Sequence, residues 1–537
     1  MRRGLAIVAL LLQSACSGGG QSAQPGAEAA PAGGAGASKI LLRGIGNEPD
    51  SLDTQRARTF EAHTVLRDIC EPLLTLDASG APVPGAAARW QVSDDGKTYV
   101  FELRPRLRWS NGDAVLAADF VAGLQRLVDP AVASAYAEVI AVVRNALPIV
   151  AGRESVQALG VRALDERHVE IDLETPAAYL TALLSHPSTC PVHRATLAKN
   201  GDVAFKPGVA VGNGAFVLRE WVQGSYILLE RNANYWNAAA TQLDAVRYII
   251  GTDDNAEFNR YRAGALHITG SLPRNRIDEV RRDYANDLHQ HAQLGTYFLA
   301  FSLDREPFRD RPGIRRALSM TLDRERITES VTRAGELPAY GWVPPGVHDY
   351  DSQSFDYRDW PASRRLAEAR RLLREAGFGP SRPLRFTLLY NNGDMHARLA
   401  VAAASMWKEA LGAEVSLRGM EFKALMNEVD IRAADMFRLA WIGDYNDAWS
   451  FLQYFNSSFG VNLTRYGNPA YDALLARAAN EPAGRRALLE QAERMLLADH
   501  PLIPVYFYVN KHLVRPEVRG WYDNVMDVCY SKDLSLQ

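Results

Sequence analysis

The chain is predicted to be α/β, built from interleaved strands and helices, and three observations carry that prediction. Stretches with strand-like apolar patterning alternate with stretches of helical periodicity along nearly the whole length. Gly377 and Gly412 follow two of the helical stretches, where a helix end favours a left-handed residue. An apolar run from Phe437 to Ile442 stops abruptly in Gly443-Asp444-Tyr445-Asn446-Asp447, the pattern of a buried strand ending at a turn.

Taken in order, Tyr99, Phe101 and Leu103 share one face of a strand at 99–103. Further strands are expected at 226–229, 246–250, 386–390 and 504–509, and helices at 117–128, 314–322, 364–376, 399–411 and 485–498. The turn after Ile442 is the most informative of these junctions. Ligands of α/β proteins gather outside the carboxyl ends of strands, and an acid there with no neighbouring His, Cys or Lys suits holding a cation. The plainer reading of Asp444 and Asp447, and the one the residues alone favour, is as turn-formers or helix N-caps. The cation-holding reading stays open beside it.

A length of 537 residues accommodates two to four domains, and a hydrophobic fraction of 47% provides a sizeable core. Sixty basic residues against 63 acidic ones leave a net charge of −3, with no broad basic field for nucleic acid. Met1-Arg2-Arg3 and the short apolar run 4–12 form the start of an export signal spanning 1–16. Nine apolar residues are too few to cross a hydrocarbon core of about 30 Å as a helix. Gln13-Ser14-Ala15-Cys16 resembles a bacterial lipoprotein processing site, with Gln13 where a leucine is usual, so Cys16 is the expected lipidation site. Ordinary secretory cleavage is the alternative. Residues 17–37 contain only Gly, Ala, Ser, Pro, Gln and one Glu, and 17–39 reads as a flexible linker.

Cys70, Cys190 and Cys529 are far apart and allow at most one intramolecular disulfide; they read as small buried residues, with any pairing left open. The chain has no nucleophile elbow, no metalloprotease helix, no phosphate-binding loop, and no dinucleotide fingerprint after a strand. His186, His193, His291 and His396 lack partners at metal-ligand spacing. No catalytic residue, metal or cofactor is expected, and the chain is not read as an enzyme.

Ordered matches then run from about residue 40 to the C-terminus. They include Glu48-Pro49-Asp50-Ser51-Leu52-Asp53, Pro84-Gly85 with Ala88-Arg89-Trp90, and Ser93 to Phe101. Trp109-Ser110-Asn111-Gly112, Asp119-Phe120, Gly212-Asn213-Gly214-Ala215-Phe216, Asn232 to Trp236, Arg315 to Leu318 and the 437–447 stretch follow. On these the chain resembles the periplasmic oligopeptide-binding proteins of ABC importers, in extracellular solute-binding protein family 5. The resemblance implies a two-lobed, hinged periplasmic-binding-protein fold of the large type with an extra domain. Lobe I would comprise 40–70, 198–295 and 511–537; the extra domain 71–197; lobe II 296–510.

The resemblance also implies a function without chemistry: short oligopeptides captured between the lobes and delivered to an ABC permease of the inner membrane. Asp444 matches the residue that takes the ligand α-ammonium group. The strand before it would pair with the peptide main chain, which every peptide shares. Tyr136 matches a contact from the extra domain, and Arg438, Trp441, Asn391 and His396 match cleft residues. Trp441 also reads as core, Arg438 as a structural brace and His396 as a solvated rim residue. Phe422 stands where familiar members carry tryptophan, Ala300 where they carry glutamate, and Thr332 where they carry lysine, so the carboxyl-terminal grip is altered. The expected form is an exported, periplasmic, membrane-anchored, monomeric lipoprotein, and Ser17 after Cys16 is compatible with outer-membrane sorting. Alternatives are a receptor for a murein-derived peptide or another amine-bearing solute, or a surface sensor or chaperone without a transport role.

Overall fold

A computed structural model describes residues 38–430, 434–459 and 462–537, and residues 38–537 form one compact unit. The expected export signal, Cys16 and all but the end of the 17–39 linker lie outside the described residues. Every strand and helix expected above is present, with ends shifted by at most a few residues, such as strand Leu502–Leu513 for 504–509 and helix Asp394–Leu411 for 399–411.

Three sheets organise the unit. The first has the order Ile40–Gly46, Ala245–Ile250, Tyr226–Arg231, Phe216–Val222; its first pair is parallel and the others antiparallel. Leu41, Phe216, Tyr248 and the late residues Val518, Cys529 and Leu534 share its core. The Gly212-Asn213-Gly214 motif docks here: Asn213 accepts from the Glu71 amide at 3.0 Å and donates to the Glu71 carbonyl at 2.6 Å. A Cβ on Gly214 would lie 2.6 Å from the Asp68 carbonyl oxygen, so only glycine admits this approach.

The second sheet, Ala87–Val92, Thr98–Leu103, His168–Asp172, Val161–Ala163, is wholly antiparallel. Helix Ala117–Val128 lays Phe120, Leu124 and Leu127 into its core beside Phe101 and Trp109. This body is tied to the first sheet by covalent and ionic links. Cys70 and Cys190 form a disulfide, and Arg126 grips Asp53 with two bonds of 2.6 Å. Among the described residues the cysteines therefore divide into one bridged pair, the pairing that the sequence left open, and one buried free thiol, Cys529.

The third sheet has six strands in the order Leu337–Pro338, Leu502–Leu513, Leu288–Phe301, Met436–Ile442, Arg385–Asn391, Glu414–Met420. Strands Leu288–Phe301 and Leu502–Leu513 are unusually long, and each leaves one core for another. Leu288 and Leu513 pack with Phe258 and Tyr261, whereas Leu294, Tyr297, Phe298, Leu502 and Ile503 lie in the large third-sheet core. Their register breaks between Ala292 and Thr296, at the passage between the two cores. Such an irregularity in two crossing strands is where a bend is accommodated.

At the same passage His289, His291 and His512 meet Asp523 and Asp527. His512 faces the Thr269 carbonyl at 2.7 Å through Nδ1 and Asp527 at 2.8 Å through Nε2. Two acceptors on two ring nitrogens require both to carry protons, so His512 is an imidazolium. His291 lies 3.4 Å from Asp523 and 3.5 Å from Asp527, at ion-pair rather than tight hydrogen-bond distance.

Candidate ligand-binding site

Strand Met436–Ile442 is flanked on one side along its length, from Gly295↔Ile442 to Phe301↔Met436. On the other side strand Arg385–Asn391 pairs with it only at Leu388↔Met436 and Leu389↔Phe437. Residues 438–442 therefore keep one edge with no strand partner among the described residues. An edge with free N–H and C=O groups is a template for another extended chain.

Gly443 closes the strand, its amide donating to the Leu294 carbonyl at 2.8 Å. A Cβ there would meet Leu294 at 2.6 Å and Phe451 at 2.9 Å, which explains glycine at the turn. The two acids beyond it then diverge. Asp447 accepts from the Trp449 amide at 2.7 Å, just ahead of helix Trp449–Leu452 whose N-cap is Ala448, and is held by Arg485. Asp444 has no hydrogen bond or ion pair among the described residues. Solvent reaches it, yet desolvation by the surrounding protein holds its carboxyl above the usual carboxylate range. An unpaired, partly desolvated carboxylate favours an incoming cation.

Asp444 lines a recess of about 310 Å³ with Trp441 and Tyr136, so three of the expected site residues meet in one place. Tyr136 is seated against two histidine rings, His186 at 4.6 Å and His63 at 4.9 Å between centroids. Burial lowers both imidazoles, His63 to about 4, so the platform under Tyr136 is neutral. Trp441 is half-buried and donates to the Ser450 carbonyl at 2.8 Å, combining core packing with a face on the recess. Tyr179 and Tyr445, which sequence reasoning did not single out, close the far wall, their rings stacked at 5.4 Å. Tyr445 directly follows Asp444; nothing in the sequence pairs it with Tyr179, 266 positions earlier.

A second group gathers around Tyr297. Arg438 donates to Asn391 at 2.7 Å, lies 4.3 Å above the Tyr297 ring centroid, and has no partner for Nε. His396 meets the Tyr297 hydroxyl at 3.3 Å; burial and the charge of Arg438 lower it to about 4, leaving a neutral ring. Phe422 begins helix Phe422–Asp430 with about half its surface exposed. Ala300 is fully buried in the third-sheet core, and Thr332 is buried, donating to Glu336 at 2.7 Å. Among the described residues no three His, Cys, Asp or Glu side chains are disposed to hold a metal ion.

The chain is 36% identical over 504 residues to the periplasmic oligopeptide-binding protein OppA of Escherichia coli (strain K12), covering 93% of this chain and 92% of that protein. It is 38% identical over 499 residues to the probable deoxycholate-binding periplasmic protein YgiS of the same organism, covering 91% and 92%. Among solved structures, the unliganded open form of the periplasmic murein tripeptide-binding protein MppA matches with a TM-score of 0.87 at 36% identity, covering 93% of this chain and 97% of that one. Haemophilus influenzae OppA in complex with the peptide RPPGFSPFR matches at 0.72 and 34% identity, covering 93% and 99%. The arrangement described here is thus the more similar to the open form, in a two-lobed α/β fold. With a family model matching residues 81–462, the chain belongs to the bacterial extracellular solute-binding proteins, family 5.

Proposed function

We propose that the protein is the substrate-binding receptor of an ABC peptide importer, capturing short oligopeptides by their backbone and α-ammonium group. The observation that carries this reading is the free edge of strand Met436–Ile442 ending at the unpaired carboxylate of Asp444. An extended peptide laid on that edge satisfies groups common to all peptides, and its amino terminus arrives at the acid. Relatives named for oligopeptide and murein-peptide binding, and one solved with a bound peptide, support the reading. The protein performs no reaction on its ligand.

In this reading the lobes and the extra domain follow the boundaries given above, with Leu288–Phe301 and Leu502–Leu513 as the connecting strands. The group Arg438, Asn391 and His396 lines the cleft away from the amino-terminal grip, with Phe422 at its rim. The mature protein works as a monomer, tethered through a lipid on Cys16, and hands its ligand to a permease.

A thermal-shift screen of di- to pentapeptides tests the function. Ligand at a hundredfold excess over Kd adds about 2.7 kcal/mol of stability, and silence from every peptide would sink the proposal. A murein-derived peptide carries an amine for Asp444 and belongs in the same screen. Deoxycholate, which has none, would answer only if Asp444 is not the anchor.

A further inference from the structure

We infer that Glu138 makes the receptor selective for peptides whose first residue has a basic side chain. The inference rests on the reading of Asp444 as the amine site.

Glu138 lies on the short 3-10 turn Ala137–Ile140, directly after Tyr136, and lines the recess that holds Asp444. It is exposed and has no hydrogen bond or ion pair among the described residues. The thirteen residues lining the recess include these two acids and no lysine, arginine or histidine. Of the neighbouring cations, Arg485 behind Tyr445 is already neutralised by Asp447, and Arg67, beyond Tyr136, His63 and His186, does not line the recess. The α-ammonium group of a peptide balances one of the two carboxylates, so among the groups lining the recess one negative charge stays without a partner when an uncharged first residue is bound.

The walls suit a second cation. Tyr136, Tyr179, Trp441, Tyr445 and Phe459 present aromatic surface, which attracts ammonium and guanidinium groups through ring faces. The long apolar stem of lysine or arginine packs against such rings while its charged head remains hydrated or paired. A first-residue glutamate brings a third carboxylate into the same 310 Å³ and is disfavoured by like charge.

The experiment is calorimetric titration of Lys-Ala-Ala, Ala-Ala-Ala, Glu-Ala-Ala and Ala-Lys-Ala into wild type and Glu138→Gln. Wild type is expected to bind Lys-Ala-Ala about tenfold more tightly than Ala-Ala-Ala, the weight of one charge-assisted hydrogen bond. Glu-Ala-Ala is expected to be the weakest. In Glu138→Gln the ratio of Lys-Ala-Ala to Ala-Ala-Ala falls to within about twofold. Equal binding of Lys-Ala-Ala and Ala-Ala-Ala by wild type overturns the inference and leaves the peptide-receptor reading standing. An equal gain for Ala-Lys-Ala overturns it too, because the attraction then belongs to net charge and not to Glu138. Absence of binding by all four peptides takes both readings down together.

Discussion

Arg485 holds Asp447 through both terminal guanidinium nitrogens, at 2.7 and 2.8 Å, with the two side chains only 16% and 14% exposed. Three positions away, Asp444 has no such partner. The first pair fixes the turn that presents the second acid. Removing one member strands a buried charge, so Arg485→Met should cost about 3–5 kcal/mol, while Asp447→Leu/Arg485→Met recovers much of that loss. Thermal unfolding of the single and double variants checks this, and a single variant as stable as wild type would refute it.

Asp444 carries the opposite sign of effect. Its raised carboxyl means that the folded protein pays for ionisation near neutral pH, and that stability from this group grows as pH falls. Asp444→Asn should therefore raise the melting temperature of the ligand-free protein while weakening tripeptide binding by roughly 3–5 kcal/mol, if the ligand amine is left unpaired on closure. Peptide affinity of wild type should begin to fall, on acidification, at a higher pH than the ~3.9 of an ordinary aspartate. Equal affinity for a tripeptide and its N-acetylated form would remove the proposed role of Asp444.

The His–Asp cluster between the two cores gives a separate pH dependence. Burial opposes charge on His291, but Asp523 and Asp527 outweigh it and raise the ring to about 9. Against an unfolded value of ~6.5, this stabilisation is whole below pH ~6.5 and lost as pH rises through about 9. Both aspartates are held well below the usual carboxylate range, partly by these histidines, so their contribution is present above pH ~3.9 and lost on acidification. The melting-temperature gap between wild type and His291→Gln should be largest near pH ~5–6 and close by pH ~9.5. A gap independent of pH would show that His291 acts by packing alone.

The disulfide joins positions 120 apart, and in the chain-entropy account so long a loop is worth several kcal/mol. Cys70→Ser/Cys190→Ser should lose about 2–4 kcal/mol of stability. Cys529 is buried and its thiol is pushed up to about 12. A chain beginning at residue 38 should then show no reactive thiol when native and one when denatured without reductant; three would disprove the bridge.

The strands and helices were legible because apolar periodicity follows directly from which faces are buried. Strand Met436–Ile442 and the turn at Gly443 could be read from the eleven consecutive residues 437–447. The difference between Asp444 and Asp447 could not, because it depends on Arg485, brought back by a helix 38 positions later. The Cys70–Cys190 bridge and the Tyr179–Tyr445 stack were hidden for the same reason. Each is a contact between distant segments, and local patterning contains no information on long-range pairing. Family likeness supplied Tyr136 as a site residue, but not Glu138 beside it.

The two long strands also have a consequence for how the chain matures. Everything between Leu288–Phe301 and Leu502–Leu513 builds the third-sheet core, while Val518, Cys529 and Leu534 are needed to finish the first. The segment that emerges earliest is thus completed last. Until the final two dozen residues arrive, strand Ile40–Gly46 and its neighbours lack part of their hydrophobic cover, whereas the third-sheet core lacks only Val525 and the flanking Met526. A chain cut short before residue 514 keeps most of the third-sheet core and an orphaned beginning, which makes the C-terminal tail the closing piece of the N-terminal sheet.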